Sequence, residues 1–173
     1  MSSKPIEDIS RKSTNVVIAG LGGQGVLKAS DILADVAFSA GLDVKKSDVH
    51  GMSQRGGSVA SDVRFGERVF SPMVPQGEAD FLVVIAPDQV EVNRAVLGPG
   101  GVLIQPSQID QSALPNKKSL NVALLGLLSL YLPFPVEAWT SSLGRNLPEK
   151  LHDANLQAFS LGRDSGETSG QEK

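Results

Sequence analysis

Apolar residues first form a continuous run at Asn15–Ala19, which leads into a glycine-rich turn at Gly20–Gly25. A run without polar alternation predicts a strand that is covered on both faces of a sheet. Apolar side chains then recur at helical spacing as far as Ala40, and Gly41 fits a C-terminal helix cap. The pattern predicts a strand, a tight turn and a helix, the opening unit of a Rossmann-like α/β domain.

The alternation of strands and helices continues along the chain. We expect strands at 42–49, 59–65, 81–86 and 102–105, with a helix between the last two that starts at Pro87 and is stopped by the glycine run 98–101. Gly66-Glu67 predicts a two-residue hairpin turn that returns the chain through 68–70. This spacing indicates an α/β fold with a Rossmann-like, mostly parallel sheet, helices on both faces and an inserted β-hairpin.

Helical patterns dominate the last third of the chain. Three helices are expected at 120–132, 135–143 and 148–161, the last one ended by Gly162. The residues at the two ends of the chain, before Asn15 and after Gly162, are mostly polar. The predicted organisation is therefore a flexible N-terminal segment at 1–14, a single domain at 15–162 and a disordered tail at 163–173.

Composition and charge narrow the function classes. The 173 residues carry a net charge of -3 and no strongly basic run, which argues against nucleic-acid binding. The most apolar run, 120–132, is shorter than the roughly 20 residues that a membrane span needs, and the polar N-terminus does not fit a signal peptide. We therefore expect a cytoplasmic protein. The absence of cysteine excludes a catalytic thiol and cysteine-ligated iron–sulfur clusters in this chain, and two distant histidines predict no metal site.

The first glycine turn satisfies the G-x-G-x-x-G pattern, and its members are Gly20, Gly22, Gly23, Gln24 and Gly25. Such a turn can bring backbone N–H groups to a dinucleotide pyrophosphate, or it can serve backbone geometry and close packing alone. A dinucleotide site also needs an acidic residue after the second strand, and Asp48 is the nearest candidate. A glycine-rich loop follows Asp48 where a new helix is expected, so the sequence favours the packing interpretation.

A second glycine loop runs from His50 to Gly57. Its candidate interface or ligand-binding residues are Ser53, Gln54, Arg55, Gly56 and Gly57. Arg55 can present a planar fork of donors to a carboxylate, a phosphate or a partner backbone. His50 is a candidate general acid or base, although a lone histidine beside a glycine is more often structural. No carboxylate or nucleophile accompanies His50 at a spacing that indicates a catalytic group, so no catalytic residue is certain.

Three motifs, taken together, resemble a known family. They are Gly-Leu-Gly-Gly-Gln-Gly at 20–25, His-Gly-Met-Ser-Gln-Arg-Gly-Gly-Ser-Val at 50–59 and Ser-Pro-Met-Val-Pro-Gln-Gly-Glu-Ala-Asp at 71–80. Their order and spacing resemble the gamma-type domain of the 2-oxoacid:ferredoxin oxidoreductases, and within that family the indolepyruvate branch. The segments at 121–126 and 154–159 also fit, so the resemblance spans 16–162.

The resemblance implies a small subunit that supports thiamine-dependent oxidative decarboxylation of a 2-oxoacid to an acyl-CoA. A larger partner subunit would hold thiamine diphosphate and [4Fe–4S] clusters, ferredoxin and coenzyme A would act through the complex, and this chain alone would bind no cofactor. By the same resemblance the second glycine loop would lie at or near the subunit interface, with Arg55 contacting partner or substrate.

One departure from the family stands at 105–120, where relatives usually have a longer insertion with another strand and helix. We therefore expect a trimmed sheet edge here. Two alternative functions stay open on the sequence: a free-standing NAD(P)- or flavin-binding oxidoreductase that uses Gly20–Gly25 and Asp48, and a non-catalytic scaffold or assembly module.

Overall fold

The computed structural model describes residues 12–50 and 56–171. The strands are β1 (Thr14–Leu21), β2 (Asp43–His50), β3 (Ser58–Gly66), β4 (Ala79–Val84) and β5 (Leu97–Ile104). The helices are α1 (Val26–Ser39), the short α2 (Val90–Asn93), α3 (Leu120–Ser129), α4 (Val136–Asn146) and α5 (His152–Gln171). Among these residues no helix is both long and apolar enough to cross a membrane.

The five strands form one mixed sheet in the order β2-β3-β1-β4-β5. The pairs β1/β4 and β4/β5 are parallel, whereas β3 runs antiparallel to both of its neighbours, β1 and β2. Four of the five strands therefore point the same way, and the prediction of a mostly parallel Rossmann-like α/β sheet is confirmed.

The predicted hairpin with a turn at Gly66-Glu67 does not form, and the antiparallel partners of β3 are other strands. β3 pairs with β2 before it, and 68–70 form no strand. The second edge of β3 is occupied by β1 along its whole length, from Thr14 opposite Phe65 to Leu21 opposite Ser58. Because both edges of β3 are already paired, the chain after Gly66 cannot add a strand there, and it crosses the sheet as a loop.

Side chains alternate between two faces of the sheet, and the two faces are covered unequally. On the first face, α1, α3, α4 and α5 bury residues such as Val16 and Ile18 of β1 together with Trp139 and Phe159. On the second face, Val17 and Ala19 of β1 pack with strand β4 and with Val90 in the helical segment 87–96. Both faces carry helical residues, as predicted, but only the first has a full helical layer.

The last helix continues through Gly162, and the predictions that Gly162 ends it and that the tail 163–173 is disordered are wrong for the residues up to Gln171. A Cβ on Gly162 would collide with the Ala123 carbonyl oxygen of α3, and one on Gly126 with the Phe159 carbonyl oxygen of α5. These glycines therefore let α3 and α5 approach backbone to backbone, a role that does not require a helix end. The other end of the chain, 1–11, lies outside the described residues.

The glycine run 98–101 also differs from expectation. It lies inside β5, which begins at Leu97, and does not precede the strand. A Cβ on Gly98 would come within 2.9 Å of the Gly77 carbonyl oxygen, and one on Gly101 equally close to that of Ala79. After β5 the short span at 105–119 forms only three 3-10 turns, so β5 is an edge strand of the sheet.

Candidate functional site

The carboxyl ends of β1, β2, β4 and β5 meet at one edge of the sheet, because these four strands point the same way. After β1 the chain turns to α1 on the first face, and after β4 it turns to the segment 87–96 on the second face. Neighbouring strands whose connections leave on opposite faces open a crevice between them, the usual ligand position in open α/β sheets. The candidate site is therefore built around the loops that follow β1 and β4.

The first glycine turn is closed by its own glutamine. The Gln24 side-chain oxygen Oε1 accepts from the Leu21 amide at 2.7 Å, and the Gln24 amide donates to the Leu21 carbonyl oxygen at 3.2 Å. Gly23 and Gly25 have φ angles of 87° and 81°, which L side chains rarely adopt. Gln24 therefore fixes the turn that the glycines permit.

The two glycine loops contact each other. The Gly22 amide donates to the Gly57 carbonyl oxygen at 2.9 Å. A Cβ on Gly22 would lie 3.3 Å from the Gly56 amide nitrogen, a tight contact that the two loops could keep only by moving slightly apart. The structure thus brings together the two motifs that the sequence separates by about thirty positions.

Asn121 at the start of α3 ties the helical layer to the first turn. Its side-chain amide donates to the Gly25 carbonyl oxygen at 3.1 Å, while its Oδ1 accepts from the Val122 amide at 2.9 Å. A Cβ on Gly25 would collide with the Asn121 side-chain nitrogen. Asn121 stands in a segment that fits the family resemblance, but the sequence alone assigns it no role. Its signal is an asparagine in the first turn of an otherwise apolar helix.

Gln89 is a second residue that the sequence analysis missed. It follows β4 at the same sheet edge and is buried. Its backbone amide donates to the Ala86 carbonyl oxygen at 2.9 Å, but its side-chain oxygen Oε1 has no hydrogen-bond partner in the described part of the chain. Buried acceptors are normally paired, so Oε1 is available to a donor from outside these residues.

Asp48 does not fit the dinucleotide hypothesis. In the sheet order β3 stands between β1 and β2, so Asp48 lies two strands away from the glycine turn, at about twice the usual 4.8 Å spacing. Its carboxylate accepts from the Ser61 hydroxyl and lies 3.4 Å from the Lys46 ammonium. Lys46 also binds Asp31 of α1 at 2.7 Å. Asp48 is thus engaged in a polar cluster that joins β2, β3 and α1.

The structure describes only the two ends of the second glycine loop. The backbone of His50 ends β2 opposite Val59, and Gly56 and Gly57 lead into β3. The candidate residues Ser53, Gln54 and Arg55 lie outside the described residues. Their predicted roles, and that of His50, stay predictions.

The third motif, 71–80, is held down by side chains of the second face. Arg64 donates to the Ser71 and Met73 carbonyl oxygens at 3.0 and 3.1 Å, and its Nε donates to Asn15 Oδ1 at 2.9 Å. The backbone N–H of Asn15 in turn donates to the carboxylate of Asp80 at 2.8 Å. This network fixes the segment near the amino ends of β1 and β4, away from the glycine loops.

Two aspartates complete this anchoring, and their pKa values shift in opposite directions. Asp62 accepts from the Val74 amide at 2.9 Å, and burial raises the pKa of its carboxyl above the ordinary value. Asp43 accepts from the Val69 amide at 2.8 Å, and this hydrogen bond lowers the pKa of that carboxyl. The segment between β3 and β4 is therefore attached at three points.

Comparison with known proteins matches residues 15–119 to the family described as pyruvate ferredoxin/flavodoxin oxidoreductase. The matched segment contains both glycine loops, the third motif and the sheet from the second residue of β1 onward. This chain belongs to that family. The indolepyruvate oxidoreductase subunit IorB of Thermococcus kodakarensis is 35% identical and is matched over 87% of this chain and 95% of its own length. Three further relatives of the same name are 30–33% identical.

Some relatives are longer and match this chain over only a part of their own length. The ketoisovalerate oxidoreductase subunit VorA of Methanothermobacter marburgensis is 34% identical over 70% of this chain, but the match takes up only 25% of VorA. The fold is that of the keto/oxoacid ferredoxin oxidoreductase gamma subunit from Geobacter sulfurreducens PCA, with a TM-score of 0.74, 22% identity, and coverage of 91% of this chain and 98% of that one. The chain is thus homologous to small subunits of 2-oxoacid:ferredoxin oxidoreductases, and the family resemblance found in the sequence is confirmed.

Proposed function

We propose that this chain is the small subunit of an oxidoreductase that acts on indolepyruvate or another aryl pyruvate. The complete enzyme converts the 2-oxoacid, coenzyme A and two oxidised ferredoxins into an acyl-CoA, carbon dioxide, a proton and two reduced ferredoxins. The observation that carries the proposal is the 35% identity to IorB across nearly the full length of both chains. We assign the enzyme to the cytoplasm.

The chain lacks the thiolate ligands that an iron–sulfur cluster needs. It has no cysteine, so it supplies no thiolate to an iron–sulfur cluster. Within 12–50 and 56–171, no group of three His, Asp or Glu side chains is placed to hold a metal ion. We therefore assign thiamine diphosphate and the [4Fe–4S] clusters to a larger partner subunit, which would supply decarboxylation and electron transfer.

The two glycine loops, Gly20–Gly25 and His50–Gly57, follow β1 and β2 at one edge of the sheet, which we call the glycine-loop edge. We assign this edge to the approach to the active site. The hydrogen bond between Gly22 and Gly57 holds two loops together at the carboxyl ends of the strands, and Asn121 fixes the first of them against α3. Arg55 directly precedes Gly56 in that pair of loops. Its guanidinium would bind a carboxylate or phosphate of the substrate or coenzyme A, or a carbonyl group of the partner.

The test is co-expression of this chain with the thiamine-dependent large subunit from the same genome. We expect a stable complex that reduces ferredoxin only when both indolepyruvate and coenzyme A are present. No complex with that subunit would refute the small-subunit assignment. A complex that uses pyruvate or 2-oxoglutarate but no aryl pyruvate would refute the substrate alone.

Arg55→Ala in the same complex separates catalysis from assembly. We expect an intact complex with impaired turnover, whereas loss of assembly alone would support a scaffold. Arg94→Ala is the matched control, because Arg94 is a surface arginine that pairs with Glu91 three positions earlier at 2.9 Å, and it should leave both properties unchanged. Calorimetric titration of the isolated chain with NAD(P)H or FAD should give no binding, since Asp48 is engaged elsewhere.

A further inference from the structure

The second face of the sheet is only partly covered by this chain. The segment 87–96 packs over β4 and the neighbouring part of β1, and Val74 of the loop at 67–78 packs against the same cluster. In the part of the chain that the structure describes, no helix lies over β2 and β3 on this side. Exposed apolar side chains on an uncovered part of a sheet indicate a surface for a partner.

Large apolar side chains stand exposed around this open half-face. Val49 of β2 lies directly opposite Ala60 of β3, on the same face as Ala19, and is 55% exposed. Phe70 and Met73, from the loop at 67–78, are 84% and 60% exposed. We call Val49, Ala60, Phe70 and Met73 the second-face patch.

The loop that presents Phe70 and Met73 is fixed to the strands beneath it. Asp43, Asp62 and Arg64 all project from the second face of β2 and β3, and they bind the backbone of this loop between Val69 and Val74. Arg64 lies opposite Lys45, four residues from Val49 along β2, which places the loop anchor about 13 Å from Val49 at 3.3 Å per residue. The backbone that presents these side chains is therefore held in place before any partner binds, which lowers the entropy lost on association.

We propose that the second-face patch is the docking surface for the larger subunit of the same oxidoreductase, a proposal that rests on the proposed function. In VorA the homologous segment makes up a quarter of one longer chain, so in that protein the rest of the subunit is covalently joined to this domain. In this chain we expect the equivalent contact to form between separate subunits. Val49 is adjacent to His50, where the second glycine loop begins, so docking here also places the glycine-loop edge beside the larger subunit.

Charged side chains adjoin the apolar members of the second-face patch, as they do at many protein–protein interfaces. Lys45 pairs with Asp43 at 3.7 Å, and the Arg68 guanidinium lies 5.5 Å from the centre of the Phe70 ring. Aromatic and methionine side chains are enriched at the centres of such interfaces. We expect Phe70 to contribute the largest share of the affinity.

Photo-cross-linking in the co-expressed complex tests the surface directly. Benzoylphenylalanine replaces Phe70 or Met73, and as a control it replaces Phe38, which is 71% exposed on α1 on the first face. We expect cross-links to the larger subunit from 70 and 73 and none from 38. Cross-links from 70 and 73 to a second copy of this chain, or none to the larger subunit although the complex forms, would overturn the proposal. If no complex forms at all, the proposed function fails instead.

Affinity measurements with the complete chains give a second test. Phe70→Asp is expected to weaken binding to the larger subunit at least about tenfold, the range of an interface hot spot, while Phe38→Asp leaves it unchanged. Both side chains are exposed in the isolated chain, so both variants should keep the wild-type circular dichroism spectrum and Tm. Equal affinities of the two variants would contradict the proposal.

Discussion

The close crossing of α3 and α5 predicts opposite effects of the same substitution at two helical glycines. Gly144 of α4 is exposed, and a Cβ there would meet no atom within 4 Å. Gly144→Ala should therefore stabilise the protein by about 0.5–1 kcal/mol, the usual difference between glycine and alanine inside a helix. Gly162→Ala gains the same helix propensity, but its methyl group would occupy the space of the Ala123 carbonyl oxygen.

To accept that methyl group, α5 must move away from α3. The core contacts of Phe159 and Leu127 would then loosen as well, since both side chains belong to the same buried cluster. Overpacking of this kind costs about 1–3 kcal/mol or more, which exceeds the gain in helix propensity. We expect a net loss of stability for Gly162→Ala.

Urea unfolding of the wild type and both single variants measures the two effects, with the midpoint and slope reported for each. Gly144→Ala is the control for helix propensity, and the difference between the two variants isolates the steric cost at 162. A Gly162→Ala protein at least as stable as the wild type would refute the close-approach explanation.

Three further predictions concern the site and the second face. Asn121→Ala should cost about 0.5–1.5 kcal/mol in urea unfolding, because it removes the hydrogen bond to Gly25, and unchanged stability would contradict the anchor role. Asp62→Asn keeps an acceptor for the Val74 amide. Because folding raises the pKa of the Asp62 carboxyl, its ionisation destabilises the folded wild type as pH rises above 3.8. The variant should therefore be more stable than the wild type at pH 7, and the difference in the free energy of unfolding should vanish near pH 3. A difference that grows on acidification would show the wrong sign. Arg64→Ala should cost about 1–3 kcal/mol and expose the loop at 67–78 to limited proteolysis, whereas wild-type cleavage rates would show that the loop needs no anchor.

Local patterns were sufficient for the elements with a strong period. The predicted strand at 15–19 and the predicted helix after Gly25 agree closely with β1 and α1. The spacing of apolar residues is sufficient to indicate a strand buried on both faces and an amphipathic helix. The three motifs also indicated the family correctly. Their contact was not predictable in the same way, since the hydrogen bond between Gly22 and Gly57 joins loops on strands whose pairing is set by the whole sheet.

Glycines mark the boundary between what the sequence by itself determined and what only the tertiary structure decided. A glycine after a helical pattern predicts a helix end, and Gly41 fits this rule with a φ of 86°. Gly162 has the same local signature, but it lies inside α5 because α3 comes close enough to exclude any side chain. The hairpin shows the same principle, since β3 is paired on both edges and leaves 68–70 no strand to join. Sequence determines which residues can take a conformation, whereas contacts between distant segments decide which of the permitted conformations is used.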